Sequence, residues 1–430
     1  MGFPLNEYRA AVDALFARTA GGVKPGLERT EALLDAVGAP HRRLRAFHVA
    51  GTNGKGSVCA TLDYLLRAHG HRVGRYTSPH LVDFRERILI DGVAISEDEV
   101  TGWLRDHDAL VAELGATFFE ATTALALDHF ARENVDVAVI ETGLGGRLDA
   151  TNVLPRPIAT VVTSIGLDHT DLLGTTVEQI AIEKAGIFKR GSPAIIGERD
   201  AGVARQLIDI AVERGAEPIL AIGRDWQLSE IVLREGMTAF VLGAGGESRR
   251  FETPLLGEHQ AYNAALAIVT LLAAGPEWTP ATADTIAGLR AVRLPGRFQR
   301  RGHIIFDVAH NPAGAAVLAR TIGQAPVDRP VTTLLAVLSD KDWKGMMREL
   351  APVTDRFVLT TAPTAPASRV WDLAAAIGHA AAAGYSAEIE PDFARAIERV
   401  RRAGGTGVVT GSFHTVGDAM ACLQVDPLAG

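Results

Sequence analysis

The sequence predicts an α/β protein built from a larger, mainly parallel sheet domain and a second, smaller α/β domain. Apolar and helical segments alternate between residues 27 and 223, the pattern of a parallel sheet whose strands are joined by covering helices. The alternation restarts after residue 294. A chain of 430 residues is also too long for one typical core, which suggests two or three domains.

The domain boundary is predicted at Leu294-Pro295-Gly296-Arg297, because a Pro-Gly pair after a helical segment marks a break in regular structure. The predicted domains are residues 1–293 and residues 294–430.

The elements of the first domain follow from local patterns. Ser96 and Glu99 are spaced as a capping box, which predicts a helix that ends near Gly115. Residues 226–256 contain short apolar runs and Gly-rich turns, so we expect antiparallel hairpins appended to the sheet. Buried strands are predicted at residues 47–49, 135–140 and 158–163, and helices at residues 58–69, 259–273 and 281–290.

In the second domain, strands are predicted at residues 304–308, 332–338, 356–360, 388–390 and 407–410. Helices are predicted at residues 312–322, 343–350, 369–383, 392–402 and 415–422.

Composition excludes several classes of protein. The net charge of −8 argues against a nucleic-acid partner, which favours a basic face. Cys59 and Cys422 give neither a disulfide framework nor metal-ligand spacing, which fits a reducing compartment. No apolar run approaches the roughly 20 residues of a membrane helix, and the N-terminus lacks the apolar core of a signal peptide. We therefore expect a cytoplasmic protein without membrane or nucleic-acid partners.

A glycine-rich turn between the first strand and helix is the strongest functional signal. Small residues let backbone N–H groups approach phosphate oxygens, and the lysine and the helix N-terminus add positive charge. The turn departs from the strict P-loop pattern, since Val49 replaces the first glycine and Gly56 the hydroxyl residue after the lysine. A purely structural turn is the alternative, but it needs no lysine. The turn comprises Gly51, Thr52, Asn53, Gly54, Lys55, Gly56 and Ser57.

Polar residues follow several predicted strands and suggest a magnesium site. Glu141 comes directly after a buried strand, where open α/β sheets place ligand-binding groups. His169 follows the next strand, and we expect it beside Glu141 on a neighbouring strand end. The hydroxyl of Ser78 could ligate a cation. The alternatives are a cap role for Glu141, a structural histidine at His169, and an ordinary solvated lysine at Lys184.

The second domain offers similar groups after its strands. Asp307 precedes a helix predicted to start at Pro312, and His310 between them could touch a phosphoryl group. Residues 340–342 and 410–414 follow later strands. We therefore expect a cleft shared by the two domains.

These motifs together resemble the folylpolyglutamate synthase/dihydrofolate synthase family of Mur-type ATP-dependent ligases. They occur in family order along nearly the whole chain and lie at residues 51–57, 77–81, 119–123, 141–152, 164–169, 183–186, 257–264, 294–297, 307–312 and 339–342. The resemblance implies a P-loop-type first domain and a Rossmann-like C-terminal domain.

The resemblance also implies residue roles. The ATP contacts would be residues 51–57 together with Asn263, Arg297 and Asp307, with Lys55, Lys184 and His310 as catalytic residues. Two Mg²⁺ ions would be held by Ser78, Glu141, His169 and Lys184, the lysine being carbamylated. The pterin ring would contact Thr117, Phe119, Glu120 and Asp149.

The implied reaction is ATP-dependent addition of L-glutamate to dihydropteroate or to the γ-carboxylate of folate, through an acyl phosphate. A bifunctional, monomeric enzyme is expected. Two alternatives stay open, a P-loop kinase or simple NTPase and a catalytically silent binding protein.

Overall fold

The computed structural model describes residues 5–18 and 25–428. The expectation about an N-terminal signal peptide, and the ends of the two predicted domains, fall partly on residues outside these ranges. Within them, no helix combines the length and the apolarity needed to cross a bilayer.

An eight-stranded sheet forms the centre of the N-terminal part. Its strands are β1 (Ala46–Ala50), β2 (Val73–Tyr76), β3 (Ile88–Ile90), β4 (Val93–Ala94), β5 (Val137–Glu141), β6 (Ala159–Val162), β7 (Ala194–Ile196) and β8 (Ile219–Ala221). The strand order is β4-β3-β2-β5-β1-β6-β7-β8, and all neighbours are parallel except at the β2-β3-β4 edge. Every residue of β1 is buried, as expected for a central strand covered on both faces.

Helices cover both faces of this sheet. They are α1 (Leu5–Ala17), α2 (Glu28–Ala36), α3 (Lys55–Ala68), α4 (Glu97–Glu113), α5 (Phe118–Arg132), α6 (Thr170–Leu173), α7 (Val177–Ala185), α8 (Ala201–Glu213), α9 (Glu258–Ala274) and α10 (Thr282–Ala291). Phe47 and Val139 pack with α3 and α9, whereas Ala46 and Ile140 pack with α5 on the opposite face. Successive side chains of a strand point to opposite faces of the sheet, so each face carries a core of its own.

The predicted hairpins are confirmed as a separate three-stranded antiparallel sheet. It consists of β9 (Gln227–Arg234), β10 (Met237–Ala244) and β11 (Glu247–Thr253). Phe240 and Phe251 bury their rings in the core that α9 shares with the large sheet, so the hairpins are anchored by apolar packing. The predicted capping box is also present, since Ser96 Oγ accepts from Glu99 N at 3.2 Å and opens α4.

A six-stranded sheet forms the C-terminal part. Its strands are β12 (Gln299–Arg301), β13 (Ile304–Phe306), β14 (Val331–Leu335), β15 (Arg356–Leu359), β16 (Ala387–Ile389) and β17 (Thr406–Thr410), in the order β12-β13-β17-β14-β15-β16. Only β12 is antiparallel to its neighbour. The covering helices are α11 (Pro312–Gln324), α12 (Trp343–Leu350), α13 (Leu373–Ala383), α14 (Phe393–Arg402) and α15 (Phe413–Cys422).

Two predicted boundaries in this part are wrong by three residues or more, and the others differ by at most two residues. The helix predicted from residue 369 begins at Leu373, because the Asp372 carboxylate accepts from the N–H groups of Ala374 and Ala375 and so caps the helix there. Trp371, just before the cap, donates its indole N–H to the Thr360 carbonyl at 2.7 Å, which fixes the preceding residues outside the helix. The strand predicted to reach residue 338 ends at Leu335.

Candidate active site

The glycine-rich turn crosses from β1 to the N-terminus of α3. Gly54 caps this helix with a φ of 93°, a conformation that a side chain would strain. A Cβ at this position would also stand 2.5 Å from Asn263 Oδ1, so glycine allows α9 to approach the turn closely. Thr52 ties the turn to the end of β6, because its Oγ1 accepts from Gly166 N at 3.0 Å. The N–H groups of the first turn of α3 therefore sit in a rigid frame at the carboxyl edge of the sheet.

Lys55 and Glu141 lie next to each other at this edge. Lys55 Nζ is 4.0 Å from Glu141 Oε1 and donates to the Gly51 carbonyl at 3.0 Å. Glu141 is buried at the end of β5, and its Oε2 accepts from Ser78 N at 3.2 Å. Burial raises the pKa of Glu141, while the Lys55 charge opposes that rise. The N–H that Glu141 accepts belongs to the loop after β2, so the side chain caps no helix end, whereas a turn-capping role remains compatible with this bond.

His169 is not on a strand next to Glu141, and this part of the prediction is wrong. Strand β1 and its glycine-rich turn lie between β5 and β6, which separates the two strands by about 10 Å at ordinary spacing. His169 opens α6 with a φ of 51°, and its side chain is 47% exposed. The glycine-rich turn therefore lies between the strand ends that precede Glu141 and His169.

Lys184 is buried, so the alternative of an ordinary solvated lysine is wrong. Only 5% of the residue is exposed, and its Nζ donates to the Gly51 carbonyl at 2.8 Å. Burial, followed by the charge of Lys55, lowers the pKa of Lys184 to about 7. The charges of Asp168 and Asp149 oppose this fall in the pKa only in part.

The donors around the turn fit a hard divalent cation. Glu141 supplies a buried carboxylate, and the hydroxyl of Ser78 belongs to the residue whose N–H contacts that carboxylate. Among residues 5–18 and 25–428, no group of three or more His, Cys, Asp and Glu side chains could hold a metal ion by itself. Protein ligands alone are therefore few, which suits Mg²⁺, an ion that usually keeps several waters and binds substrate phosphates.

Residues of the C-terminal part reach the same edge. A Cβ built at Gly56 would lie 3.7 Å from Glu141 Oε2 and 4.0 Å from Arg297 Nη2, so the guanidinium stands directly over the turn. Arg297 stacks on Phe413, with Cζ 5.1 Å from the ring centroid. Asp307 accepts from the N–H groups of Phe298 and Ala309, at 2.9 and 3.0 Å.

A second ion cluster joins the two parts of the protein. Asp168, in the loop after β6, lies 2.6 Å from Lys341 Nζ and 3.5 Å from His310 Nε2, and both partners come from the C-terminal part. Burial alone would raise the pKa of Asp168, but the His310 hydrogen bond and the His169 and Lys341 charges hold it well below its usual range. His310 Nδ1 contacts the Val308 carbonyl at 2.9 Å, so both of its ring nitrogens face oxygen acceptors.

Three of the four residues predicted to contact a pterin lie at the start of α5. Thr117 and Glu120 form a capping box, with Glu120 Oε2 accepting from Thr117 N at 2.7 Å. Glu120 also pairs with Arg29 at 2.8 Å, so its carboxylate already has two partners within the protein. Phe119 lies against Gly143, where a Cβ would stand 2.3 Å from the Phe119 ring, so only glycine leaves room for this ring position.

Asp149, the fourth residue, organises the loop that faces Phe119. It is buried, and it accepts from Leu144 N at 2.7 Å, from Thr151 N at 3.0 Å and from Thr151 Oγ1 at 2.5 Å. Burial raises the pKa of Asp149 against these hydrogen bonds. Thr151 Oγ1 in turn contacts His48 Nε2 at 2.8 Å, which connects the loop to β1.

Residues 49–271 match the Mur ligase middle domain, and residues 296–413 match the Mur ligase, glutamate ligase domain. The chain is 36% identical to the dihydrofolate synthase/folylpolyglutamate synthase of Mycobacterium tuberculosis, over 94% of this chain and 91% of that protein. The chain belongs to the dihydrofolate synthase/folylpolyglutamate synthase family.

Two solved structures of this family are similar to the chain. E. coli FolC in complex with DHPP and ADP has a TM-score of 0.86 and 32% identity, covering 98% of both chains. A bifunctional folylpolyglutamate synthase/dihydrofolate synthase with Mn, AMPPNP and L-glutamate bound has a TM-score of 0.84 and 33% identity, also covering 98% of both chains. The family resemblance and the two-part α/β fold expected from sequence are therefore confirmed.

The structure also shows polar groups at the candidate active site that the sequence did not single out. The sequence predicted only that Lys341 lines the same edge as the other groups that follow strands, and no spacing identified Asp168 as its partner. Asn311, which caps α11, also approaches the turn, with Nδ2 3.5 Å from Asn53 Oδ1. For Lys341, the available signal in the sequence was its position between Asp340 and Asp342, shortly after a predicted strand.

Proposed function

We propose that this protein is an ATP-dependent amide ligase that adds L-glutamate to dihydropteroate and to the γ-carboxylate of reduced folates. One observation carries the proposal: Arg297 of the C-terminal part reaches the glycine-rich turn with Lys55 and Glu141, and His310 and Lys341 of the same part pair with Asp168 in the loop after β6. Membership of the dihydrofolate synthase/folylpolyglutamate synthase family supports the choice of substrates.

The reaction follows from the charges that the cleft brings together. A carboxylate is a poor acylating agent, so its oxygen first attacks the γ-phosphorus of ATP and releases ADP. The neutral amine of glutamate then attacks the acyl carbon, phosphate leaves, and the amine loses a proton to give the amide. Two anions must approach each other in the first step, and Lys55, Arg297 and the α3 N-terminus offset their repulsion.

We assign the metal and nucleotide contacts as follows. The Mn-containing family structure supports divalent metal use. Two Mg²⁺ ions, held through Ser78, Glu141, His169 and carbamylated Lys184, would neutralise the phosphate and carboxylate oxygens. Burial of Lys184 without an acidic partner supports the carbamate, because that modification replaces a buried cation by an anionic oxygen ligand. Asn263 and Asp307 would contact the nucleoside.

The pterin site is proposed between the start of α5 and the loop 143–152. Phe119 offers a ring for stacking, and Thr117 and Asp149 offer hydrogen-bonding groups at either side. Glu120, which pairs with Arg29, is proposed to position the start of α5 rather than to touch the ligand.

The decisive experiment measures products with purified protein, ATP, magnesium and L-glutamate, offering dihydropteroate and tetrahydrofolate separately. The ligase forms ADP and phosphate only when both an acid substrate and glutamate are present, and product mass rises by one glutamyl residue. Glutamate-independent formation of a stable phosphorylated product would identify a kinase instead. ATP hydrolysis without either substrate would identify a simple NTPase.

The remaining expectations belong to the same proposal. The proposed domain boundary at residues 294–297 is supported by the position of β12, the first strand of the six-stranded C-terminal sheet, which begins at Gln299. A monomer that acts in the cytoplasm without nucleic-acid or membrane partners stays a prediction.

A further inference from the structure

Arg87 lies at the same sheet edge as the phosphate-binding turn. It immediately precedes β3, and its carbonyl accepts from Thr77 N at 3.0 Å, which continues the β2-β3 pairing by one residue. On the side away from β3, strand β2 pairs with β5, where Tyr76 is opposite Ile140. Arg87 is therefore two strands away from Glu141, a backbone separation of about 10 Å at ordinary strand spacing.

The guanidinium of Arg87 is buried and held in a fixed orientation. Only 6% of the residue is exposed. Its Nε donates to His80 Nδ1 at 2.8 Å, and its Cζ lies 5.0 Å from the Phe118 ring centroid. The Nε edge of the guanidinium is therefore occupied by His80, and one of its faces is covered by the Phe118 ring.

The outer edge of the same group has no protein partner. Neither Nη1 nor Nη2 forms a hydrogen bond or ion pair with another residue in the described ranges 5–18 and 25–428. The oxygens of the adjacent Glu86 accept from the N–H groups of Leu81, Val82 and Asp83, so this carboxylate, like Glu141, favours the charge of Arg87 only from beyond ion-pair distance. Arg75, which is about as deeply buried, pairs with Asp63 at 2.9 Å. A buried cation without a counterion is unfavourable, so a bound anion is the expected compensation at Arg87.

We propose that Arg87 binds a substrate carboxylate through its Nη1 and Nη2 groups. This inference rests on the proposed ligase function and names a substrate contact within its cleft. A planar guanidinium with two free amino groups matches a carboxylate in two parallel hydrogen bonds. The carboxylate comes either from the incoming glutamate or from the acid substrate, and the two sources differ in which KM depends on Arg87.

The test compares Arg87→Met with Arg85→Met in the full-length enzyme. Arg85 is the matched control, since it belongs to the same short turn (Phe84–Arg87) but pairs with Asp83 at 2.8 Å. In Arg87→Met, we expect a rise of about 10- to 100-fold in the KM for one carboxylate substrate, the effect of a charged hydrogen bond, with the KM for ATP unchanged. A rise for L-glutamate alone assigns its carboxylate, and a rise for dihydropteroate alone assigns the acid substrate.

A substrate lacking one carboxylate sharpens the result. If glutamate is the source, wild-type enzyme discriminates strongly against its α-amide or its γ-amide, and Arg87→Met loses that discrimination. Arg87→Lys should recover part of the affinity, because it restores the charge without the two-pronged geometry.

The melting temperature distinguishes a substrate-binding role of Arg87 from a purely structural role. The melting temperature of Arg87→Met should stay close to that of the wild type, because relief from burying a cation without an ion pair offsets the loss of the bond to His80 and of the contact with Phe118. A lower melting temperature with equal losses for all three substrates, or kinetics equal to those of Arg85→Met, overturns the inference. If Arg87→Met does not fold, a wild-type KM for both carboxylate substrates in Arg87→Lys overturns it as well. Absence of glutamate-dependent turnover in the wild type would instead reject the proposed function.

Discussion

The carboxylate of Asp168 lies 2.6 Å from the ammonium of Lys341, and the two residues lie in loops that follow strands of different sheets. Their side chains are only 10% and 12% exposed. The pair also holds His310 at the same carboxylate, so the position of three polar groups depends on how the two parts are apposed. This contact therefore couples the arrangement of the two parts to the geometry of the cleft.

Replacing either partner should weaken this coupling. We expect Asp168→Asn and Lys341→Met each to destabilise the protein by about 1–3 kcal/mol, because each leaves a largely buried charge without its partner. The double variant should lose less than the sum, with a coupling energy of about 1–3 kcal/mol measured by urea unfolding. Lys344→Met, at an exposed lysine of α12, is the control. Strictly additive losses would contradict an energetic pairing.

Lys55→Ala should reduce turnover at least about 100-fold while the fold persists. The change removes a charge that we propose faces the phosphates of ATP, and such a contact typically contributes this much to a transition state. Circular dichroism and the melting temperature should stay close to wild type, because the lysine contacts only turn carbonyls and Glu141. Lys344→Ala serves as the control, and wild-type turnover in Lys55→Ala would show that the turn does not bind phosphate.

Lys184→Ala should be inactive and should regain partial activity with a short carboxylic acid such as acetate. The added carboxylate would occupy the space of the proposed carbamate and supply its oxygen ligands. The same acid should not rescue Lys55→Ala, which lacks a cation rather than an anion. Full activity of Lys184→Ala without any addition would exclude the carbamate role.

Gly143→Ala should impair the pterin site selectively. The added methyl group would overlap the Phe119 ring, with only 2.3 Å between Cβ and the ring carbon, so the ring must move. We expect kcat/KM for dihydropteroate to fall about 10- to 100-fold, with little change in the KM for ATP. Gly378→Ala in α13, where the added methyl meets no neighbour within 4 Å, is the matched control. An equal fall for ATP would place Phe119 outside the pterin site.

His48 should make the protein less stable in acid. Burial, followed by the charge of Lys189, lowers the pKa of His48 from 6.5 to about 3. Its folded pKa is thus below its unfolded pKa, so its contribution is complete above pH 6.5 and is progressively lost as pH falls toward 3. The expected loss between pH 7 and pH 5 is about 2 kcal/mol.

The check is the urea midpoint of wild type and His48→Gln at both pH values. The glutamine variant should lose less stability on acidification, because it has no ring to protonate, while its amide can still reach Thr151. Parallel losses in the two proteins would mean that other groups dominate this pH range.

Local patterns predicted most of the secondary structure. The Ser96 capping box, the hairpins at 226–256 and the helix starting at Pro312 depend on neighbouring residues alone, and all are found. The start of α13 was missed because an Asp372 cap competes with a longer apolar pattern that looks helical from residue 369. The strand order, which places β1 between β5 and β6, could not be read from spacing, and it overturned the expected neighbourhood of His169.

The sequence by itself determined the α/β class, the glycine-rich turn between the first strand and helix, and the residues that follow the strands, because each depends on chain neighbours and on a recognisable order of motifs. Only the tertiary structure decided that Lys184 is buried against Gly51, that Asp168 meets Lys341 and that, among the residues the structure describes, Arg87 forms no ion pair. Burial and charge pairing between segments far apart in the chain are set by packing. Packing is fixed only when the sheets, their helices and both parts of the cleft come together.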